Sequence, residues 1–349
     1  MTQKRKIIGF VLVLSLFSLT MLGFAGCGSK SREPVSKEGY YFDTICTISI
    51  YDMEEMNESN ANKVIDGALE ECDKYEKILS KTKKHSDVYA INHAGGKPVS
   101  CHSDTIEVLK KAIHYGELSQ GAFDVTVGKA ENLYNFHQEG KHSIPTAQQL
   151  SNAVSHINYK KIHVKGNDVS LDDPKMELDL GGIAKGYIGD RIGAWLEKKG
   201  VSSAIISLGG NIICVGDKFG KPFNVGVEKP FSEQKDIVGT TKVKNKTVVT
   251  SGIYERYFKK DGKLYHHIID PKTGVSADTD VQGVTIVAKD GHSGDCDALA
   301  TICLLLGKDK GLKLMESQKG YEALFLTKNG KITKTENMDF QEAEEDTQE

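Results

Sequence analysis

An acidic and a hydroxyl side chain lie four residues apart in GDCDALATICLLLG, residues 294–307, and together they could hold a hard cation. Asp297 and Thr301 share one face of a predicted apolar helix, because residues four apart in an α-helix are neighbours. A carboxylate and a hydroxyl, completed by a backbone carbonyl, water and a substrate phosphate, are ligands typical of Mg²⁺. A simpler interpretation stays open, with Asp297 as a helix N-cap and Thr301 bonded back to its own helix.

A second candidate is the glycine-containing segment LDLGGIAKGYIGDRI, residues 178–192. Gly181 and Gly182 would let the backbone approach a ligand closely, and the free N–H groups at the following helix start favour an anion. Lys185 lies in the first helical turn, where a positive charge opposes the helix dipole and costs stability. This unfavourable position indicates that Lys185 binds a phosphate. The segment matches neither the dinucleotide-binding fingerprint nor the P-loop, so a tight turn without a ligand also stays open.

Adjacent histidines in YHHIIDPKTG, residues 265–274, point to opposite faces of a strand that ends in a proline-containing turn. One of them could act as a base near neutral pH, although a strand-end pair with one solvated histidine also explains the pattern. The segment GHSGD, residues 291–295, falls one residue short of a serine-hydrolase motif. Its surroundings predict no parallel strand–turn–helix, so we do not expect a serine hydrolase.

The elements that must position these residues form a predicted α+β fold with mostly antiparallel sheets and interspersed helices. Apolar periodicity predicts helices over 60–80, 103–120, 183–199 and 295–306. Alternation predicts a strand in YYFDTICTISIY (40–51), and short strands dominate from residue 157 onward. Asn-Gly in YEALFLTKNGKITKT (321–335) predicts a hairpin, whereas 76–96 is predicted as a loop with one helical turn. We expect one compact domain over residues 39–335.

The N-terminus predicts export and a lipid anchor. Three basic residues precede an uncharged run, and two small residues then lead to Cys27, where a bacterial lipoprotein signal places its acylated residue. We expect residues 1–26 to be a cleaved signal peptide and 27–38 to be the lipidated cysteine with a polar tether. The protein would then lie on the outer face of the cytoplasmic membrane. An uncleaved membrane helix over the same run is the alternative.

Charge and cysteine content limit the function classes further. The net charge of −3 becomes −6 without the three basic signal residues, which argues against nucleic acid as a partner. The acidic surplus near the end predicts a solvated tail over 336–349. Seven cysteines contain no C-x-x-C pair and no zinc spacing. The six besides Cys27 are expected to be buried free thiols, with disulfides as the alternative.

Six segments in this order together resemble the ApbE family, the flavin transferases that move FMN from FAD to proteins. They are GAFDVTVG (121–128), LDLGGIAKGYIGDRI (178–192), SLGGNI (207–212), VVTSGIYERYF (248–258), HIIDPKTG (267–274) and DALAT (297–301). The resemblance covers roughly residues 39–330. It implies an ApbE-like domain with FAD as substrate and Mg²⁺ as cofactor, and a lipoprotein signal is usual in that family.

The resemblance also implies roles for individual residues. The side chains of Asp297 and Thr301 and the carbonyl of Gly182 would bind Mg²⁺, and His267 would be the candidate base. The implied FAD contacts are Phe42, Ala122, Phe123, Asp124, Asp179, Lys185 and Ile268. Many members carry Met-Gly-Thr in the first strand, where this chain has Phe42-Asp43-Thr44.

The implied reaction is transfer of FMN from FAD to a threonine or serine hydroxyl of an acceptor flavoprotein, with release of AMP. Magnesium ions bridging the phosphates would neutralise charge as the bond to AMP breaks. Two alternatives share the same site. Water in place of the hydroxyl would make the protein a FAD pyrophosphatase that yields FMN and AMP. Binding without chemistry would make it a FAD-binding lipoprotein.

Overall fold

Helices and antiparallel strands alternate along the chain in a computed structural model that describes residues 33–52, 56–137, 140–232 and 234–344. The helices are α1 Glu58–Leu79, α2 Asp87–His93, α3 Ser103–Leu118, α4 Gly128–Asn132, α5 Ala147–Val154, α6 Ala184–Lys198, α7 Ser293–Leu306 and α8 Lys308–Ser317. The first strands are β1 Val35–Tyr41, β2 Thr44–Ile50, β3 Val99–Ser100, β4 Ile162–Lys165, β5 Asp168–Leu171, β6 Ala204–Leu208, β7 Asn211–Val215 and β8 Phe223–Glu228. The remaining strands are β9 Ile237–Val243, β10 Lys246–Gly252, β11 Tyr257–Lys260, β12 Lys263–His266, β13 Val281–Lys289, β14 Tyr321–Thr327, β15 Ile332–Lys334 and β16 Gln341–Glu342.

An eight-stranded sheet in the order β1-β2-β6-β7-β10-β13-β14-β15 forms the centre of the molecule. Helices α1, α6 and α7 pack on this sheet, and their apolar residues share one core cluster with inward residues of the strands. The opposite side of the sheet forms a second cluster with β8 and β9. In β10, for example, Val248 belongs to the second cluster and Val249 to the first, because successive strand residues face opposite sides. The central strands are therefore buried on both faces.

Three smaller sheets complete the fold: β16-β9-β8, β3-β5-β4 and the hairpin β11-β12. All pairings between these strands and within the large sheet are antiparallel. Residues from Glu33 onward form one compact unit. The predicted α+β architecture with mostly antiparallel sheets is confirmed.

The two helices nearest the candidate site contact each other very closely. A side-chain carbon added at Gly186 of α6 would lie 2.1 Å from the backbone oxygen of Ser293, at the start of α7. Asp190 of α6 accepts hydrogen bonds from the backbone N–H groups of Ser293 (2.8 Å) and Gly294 (3.0 Å). The carboxylate of Asp190 thus caps backbone N–H groups at the start of α7 that have no partner within the helix, because α7 has no side-chain cap of its own.

Most predicted elements are confirmed, and two boundaries are wrong. The four predicted helices correspond to α1, α3, α6 and α7, and the Asn329-Gly330 hairpin and the six free, buried cysteines also lie where they were expected. Helices α4, α5 and α8 were not predicted, and the predicted loop 76–96 contains the end of α1 and the whole of α2. The fold begins at Val35, because β1 pairs with β2 and takes in part of the predicted tether. The segment 40–51 is therefore most of a hairpin and not one strand, with positive φ angles at Phe42 (56°) and Asp43 (57°) forming its turn.

The predicted solvated tail also begins too early. Met338 is 2% exposed and packs in the second core cluster, and Gln341–Glu342 pair with β9. The prediction rested on the acidic composition of this segment and overlooked Met338. Burial of that side chain holds the segment against the second core cluster, where the chain then pairs with β9. Cys27 and the predicted signal peptide lie outside the described residues. Among the described residues, no helix has the length and apolarity needed to span a membrane.

Candidate active site

All eleven predicted metal, cofactor and base residues line one cleft of about 910 Å³. They come from the turn between β1 and β2, the loop at 122–124, the segment before α6 and its first turn, the residues after β12, and α7. Such a volume lies in the upper part of the range for small-molecule sites. Residues separated by more than two hundred positions therefore meet at one site.

The three predicted metal ligands converge at one point of this cleft. Asp297 and Thr301 lie one turn apart on α7, and a side-chain carbon added at Gly182 would be 3.3 Å from the Thr301 hydroxyl. Asp297 is 1% exposed, and its Oδ2 accepts the backbone N–H of Gly186 at 3.0 Å. Because that N–H bonds Asp297, the Gly182 carbonyl four residues earlier accepts no hydrogen bond from the described residues.

This donor set fits a hard cation. A carboxylate, a hydroxyl and a backbone carbonyl are oxygen ligands, and Mg²⁺ usually takes few protein ligands beside water and substrate phosphate. Within the described residues, no three or more His, Cys, Asp or Glu side chains form a group that could hold a metal ion. Residues Gly182, Asp297 and Thr301 would thus suit Mg²⁺ better than zinc.

Lys185 adds a positive charge beside this point. Its Nζ donates to the Gly181 carbonyl at 3.0 Å and lies 3.8 Å from Asp297 Oδ1. The ammonium carries three donors, and only one has a hydrogen-bonded partner among the described residues. Lys185 lies in the first turn of α6, where a positive charge opposes the helix dipole, as predicted. Its two remaining N–H donors are available to an anionic ligand.

The adjacent histidines point in opposite directions, as their alternation predicts. His266 is buried, and its Nε2 bonds the carbonyl of Ala277 at 3.0 Å. His267 lines the cleft, and its Nδ1 lies 3.3 Å from the carbonyl of Arg256. A carbonyl only accepts, so this contact places the proton on Nδ1 and leaves the Nε2 lone pair free.

Burial lowers the pKa of His267 to about 3, and the positive charges of Arg256 and Lys185 act in the same direction. The imidazole is therefore neutral at pH 7, which is the protonation state that a base requires. A bound anion would counter those two charges and raise this pKa.

Two cleft residues beside His267 were not predicted from the sequence as site residues. Arg256 lines the cleft and makes no ion pair with any residue in the described ranges. Glu255 is open to the cleft, and its Oε1 accepts the Gly252 N–H at 2.9 Å. Desolvation by the surrounding walls raises the pKa of Glu255 to about 7, against the lowering effect of Lys185. Both lie within VVTSGIYERYF, where the motif alone did not indicate which side chains face a ligand.

The loop at 122–124 contributes a wall and not a free carboxylate. Phe123 is buried with its ring edge 3.1 Å from a carbon added at Gly182, so it packs on the glycine turn. Asp124 uses both oxygens internally, accepting from Thr126 N–H (2.9 Å) and Oγ1 (2.6 Å) and from Tyr159 N–H (2.8 Å). Any direct ligand contact from this loop would therefore come more readily from its backbone and Ala122 than from the Asp124 carboxylate.

Phe42 and Ile268 occupy other parts of the cleft wall. Phe42 has left-handed backbone, and its N–H donates to Glu76 Oε1 at 2.9 Å, which holds the turn in place. A bulky residue in this conformation is uncommon and costs energy. Ile268 is 6% exposed, and its carbonyl accepts the N–H of Ala277. Both residues thus supply apolar surface in fixed positions.

Asp179 belongs to a network of charges that the sequence did not indicate. Its Oδ2 contacts Lys81 Nζ at 2.7 Å, and the same Nζ contacts Glu131 Oε2 at 2.5 Å. Glu131 Oε1 lies 3.1 Å from His137 Nε2, and the other nitrogen of that ring is 3.5 Å from Asp43. These residues span more than one hundred positions and share no motif, so no local sequence signal could have grouped them.

Ser293, in the segment that resembles a hydrolase motif, is fully buried. Its hydroxyl has no hydrogen-bond partner among the described residues. A nucleophile needs both access to substrate and an adjacent base, so this serine supports no hydrolase.

Comparisons with known proteins agree on one family. Residues 42–325 match the family model described as the ApbE family. A FAD:protein FMN transferase from Treponema pallidum (strain Nichols) is 34% identical over 328 residues, 88% of each chain. One from Klebsiella pneumoniae (strain 342) is 34% identical over 262 residues, 74% of this chain and 80% of the relative.

Solved structures agree with these sequence matches. The ApbE protein from Thermotoga maritima superimposes with a TM-score of 0.78 at 31% identity, covering 87% of this chain and 97% of its own. The flavin transferase ApbE from Vibrio cholerae gives a TM-score of 0.76 at 27% identity, covering 87% and 96%. The fold therefore matches over nearly the whole of both solved chains.

Proposed function

Because the chain belongs to the ApbE family, we propose that it transfers FMN from FAD to a threonine or serine hydroxyl of an acceptor flavoprotein, with Mg²⁺ as cofactor. Relatives named FAD:protein FMN transferase support the flavin-transfer part of this proposal. AMP is the second product, since FAD is a pyrophosphate that joins FMN to AMP.

The observation that carries the proposal is the meeting of Gly182, Asp297 and Thr301 beside Lys185. Three oxygen donors and an ammonium at one point of a large cleft suit a magnesium-bound diphosphate. When bound there, Mg²⁺ would neutralise phosphate charge and polarise the phosphorus towards attack. Lys185 would contact a phosphate oxygen and restrict the orientation of the diphosphate.

His267 would take the proton in the transfer step. The acceptor hydroxyl oxygen forms a bond to the FMN phosphorus, and the bond from that phosphorus to the AMP oxygen breaks. The hydroxyl proton moves to His267 Nε2, whose lone pair is free because Nδ1 faces the Arg256 carbonyl. FMN ends as a phosphoester on the acceptor, and positioning supplies most of the acceleration.

The location of the protein is part of the same proposal. Cys27 follows a signal-like run, and lipidation there would hold the domain at the outer face of the cytoplasmic membrane. Acceptors would then be exported or membrane-bound flavoproteins.

Intact-mass analysis of an acceptor tests the function. The protein is incubated with FAD, Mg²⁺ and a candidate acceptor, alongside the acceptor with its target threonine changed to valine. A mass gain equal to FMN on the first acceptor only, with AMP in the supernatant, supports the transferase. Free FMN with AMP and no mass gain supports the pyrophosphatase, and unchanged FAD supports a binding lipoprotein.

One variant with a matched control tests the site. Lys185→Met should weaken FAD use, because it removes the charge proposed to contact phosphate, whereas Lys198→Met at the other end of α6 should not. Equal KM values for FAD in the two variants would return Lys185 to a structural role.

A further inference from the structure

Lys81 lies in the cleft wall with all three of its donors used. Its Nζ contacts Glu131 Oε2 at 2.5 Å, Asp179 Oδ2 at 2.7 Å and Asn132 Oδ1 at 2.9 Å. The side chain is 15% exposed, although Lys81 lines the cleft. An ammonium carries three N–H donors, so Lys81 has none left for a phosphate. It differs in this respect from Lys185.

These contacts join three segments that are far apart in the chain. Lys81 follows α1, Glu131 and Asn132 belong to α4, and Asp179 lies in the segment that leads to Gly182. A buried ion cluster contributes little to stability compared with apolar packing, because its charges lose their hydration. The cluster is therefore better explained by the side-chain positions that it fixes than by a contribution to the stability of the fold.

The cluster fixes the carboxylate of Asp179. Oδ1 accepts the Gly181 N–H at 2.7 Å, and Oδ2 faces Lys81, so each oxygen has its own partner. The positive charge of Lys81 and these hydrogen bonds outweigh desolvation and hold the pKa of Asp179 below its usual value. Glu131 and Asp179 both contact Lys81 Nζ, so their two carboxylates lie close together. Without Lys81, these two negative charges would repel each other.

We propose that Lys81 is a positioning residue that holds the Asp179 carboxylate in the orientation in which it binds FAD. This inference rests on the proposed function only in that FAD occupies the cleft. A carboxylate only accepts hydrogen bonds, so Asp179 faces a hydroxyl or N–H donor of FAD and not its diphosphate. Lys185 and the metal ligands serve the diphosphate, and Lys81 acts on a different part of the substrate through Asp179.

Binding of FAD to Lys81→Met tests the proposal, measured by the intrinsic fluorescence of FAD with Mg²⁺ present. Methionine keeps the length of the side chain and removes its charge. We expect the Kd for FAD to rise about tenfold, since one charge-assisted contact is misplaced. At saturating FAD, kcat should stay within about threefold of the wild type. Lys84→Met, three residues on in the same loop and exposed, is the matched control and should leave Kd unchanged.

A double-mutant cycle separates positioning from general structural support. If Lys81 acts through Asp179, then Lys81→Met adds little to the loss already caused by Asp179→Asn. Additive losses in Kd, or a folded Lys81→Met with the wild-type Kd, would overturn the proposal. Lys81→Gln, which keeps two N–H donors without the charge, replaces the methionine variant if that one does not fold.

The outcome for the transferase itself is read separately. If the wild type binds FAD with this Lys81 dependence and yet leaves every acceptor unmodified, the inference stands and the transferase proposal fails. If the wild type modifies acceptors and Lys81→Met binds FAD normally, the inference alone fails. A wild type that binds no FAD overturns both.

Discussion

Replacing Gly186 with alanine should separate α6 from α7 and disturb the candidate metal site. The added carbon would lie 2.1 Å from the Ser293 carbonyl oxygen and 2.8 Å from the Gly294 Cα. Both are backbone atoms at the start of α7, so no side-chain rotation can relieve the contact. The two helices must move apart by the order of an ångström, because non-bonded carbon and oxygen atoms normally stay at least about 3 Å apart.

The expected loss of stability combines two effects. Overpacking of this kind costs about 1–3 kcal/mol. The Gly186 N–H also donates to the buried Asp297 carboxylate at 3.0 Å, and weakening a bond to a charged group costs about 1.5–3 kcal/mol. The intrinsic helix preference for alanine offsets up to about 1 kcal/mol. We expect a net loss of about 3 kcal/mol and a Tm about 5–10 °C lower.

Gly193→Ala is the matched control in the same helix. A carbon added there meets its nearest neighbour, Ile213, at 3.5 Å, which is ordinary contact. This variant should equal the wild type or exceed it by up to about 1 kcal/mol. Thermal unfolding by circular dichroism compares the two, and Mg²⁺-dependent turnover of FAD reports on Asp297. A Gly186→Ala protein as stable as Gly193→Ala would refute the close helix contact.

Four further outcomes follow from the same contacts. Asp297→Ala should abolish Mg²⁺-dependent turnover while Asp309→Ala, an exposed carboxylate, retains it; full activity of Asp297→Ala refutes the metal assignment. The pKa values of Asp179 and Glu131 are lowered, so their stabilisation is present above the unfolded value of about 4 and is lost as pH falls further; urea midpoints from pH 7 to pH 3 should drop accordingly. Truncation after residue 336 should lower stability by about 2 kcal/mol, since it removes the buried Met338, whereas truncation after residue 344 should not. The six buried thiols should react with a thiol reagent only after unfolding, and fast labelling of the native protein would contradict their burial.

The parts of the site that lie within one element could be predicted from the sequence. Asp297 and Thr301 share a helix face because of the helical repeat, and the opposite directions of His266 and His267 follow from strand alternation. The order of six motifs then brought the segments into one cleft. The first inference needed only spacing along the chain, whereas the second rests on the resemblance of these motifs to the ApbE family.

The parts of the site that depend on contacts between segments far apart in the chain could not be predicted from the sequence. Lys81, Glu131 and Asp179 come from three segments, and nothing in the sequence indicated that Lys81 and Glu131 lie beside the predicted FAD contact Asp179. The turn at Phe42 and Asp43 was also missed, because Phe42 is a bulky residue that seldom adopts left-handed backbone and no glycine follows Asp43. The turn is held by a residue outside the hairpin, since Glu76 accepts the Phe42 N–H, and the sequence around the turn does not indicate this contact.

The glycines of LDLGGIAKGYIGDRI therefore have two different tasks. Gly182 leaves room for Phe123 and the Thr301 hydroxyl to come close to the turn, and its carbonyl has no intramolecular partner among the described residues. Gly186 lets α6 touch α7, and its N–H is the group that would otherwise occupy that carbonyl. Because Gly186 donates to Asp297 instead, one close helix contact both orients the carboxylate and frees the carbonyl of Gly182. Packing of the two helices and preparation of the candidate cation site are therefore one feature of this segment, and a change at Gly186 should disturb both together.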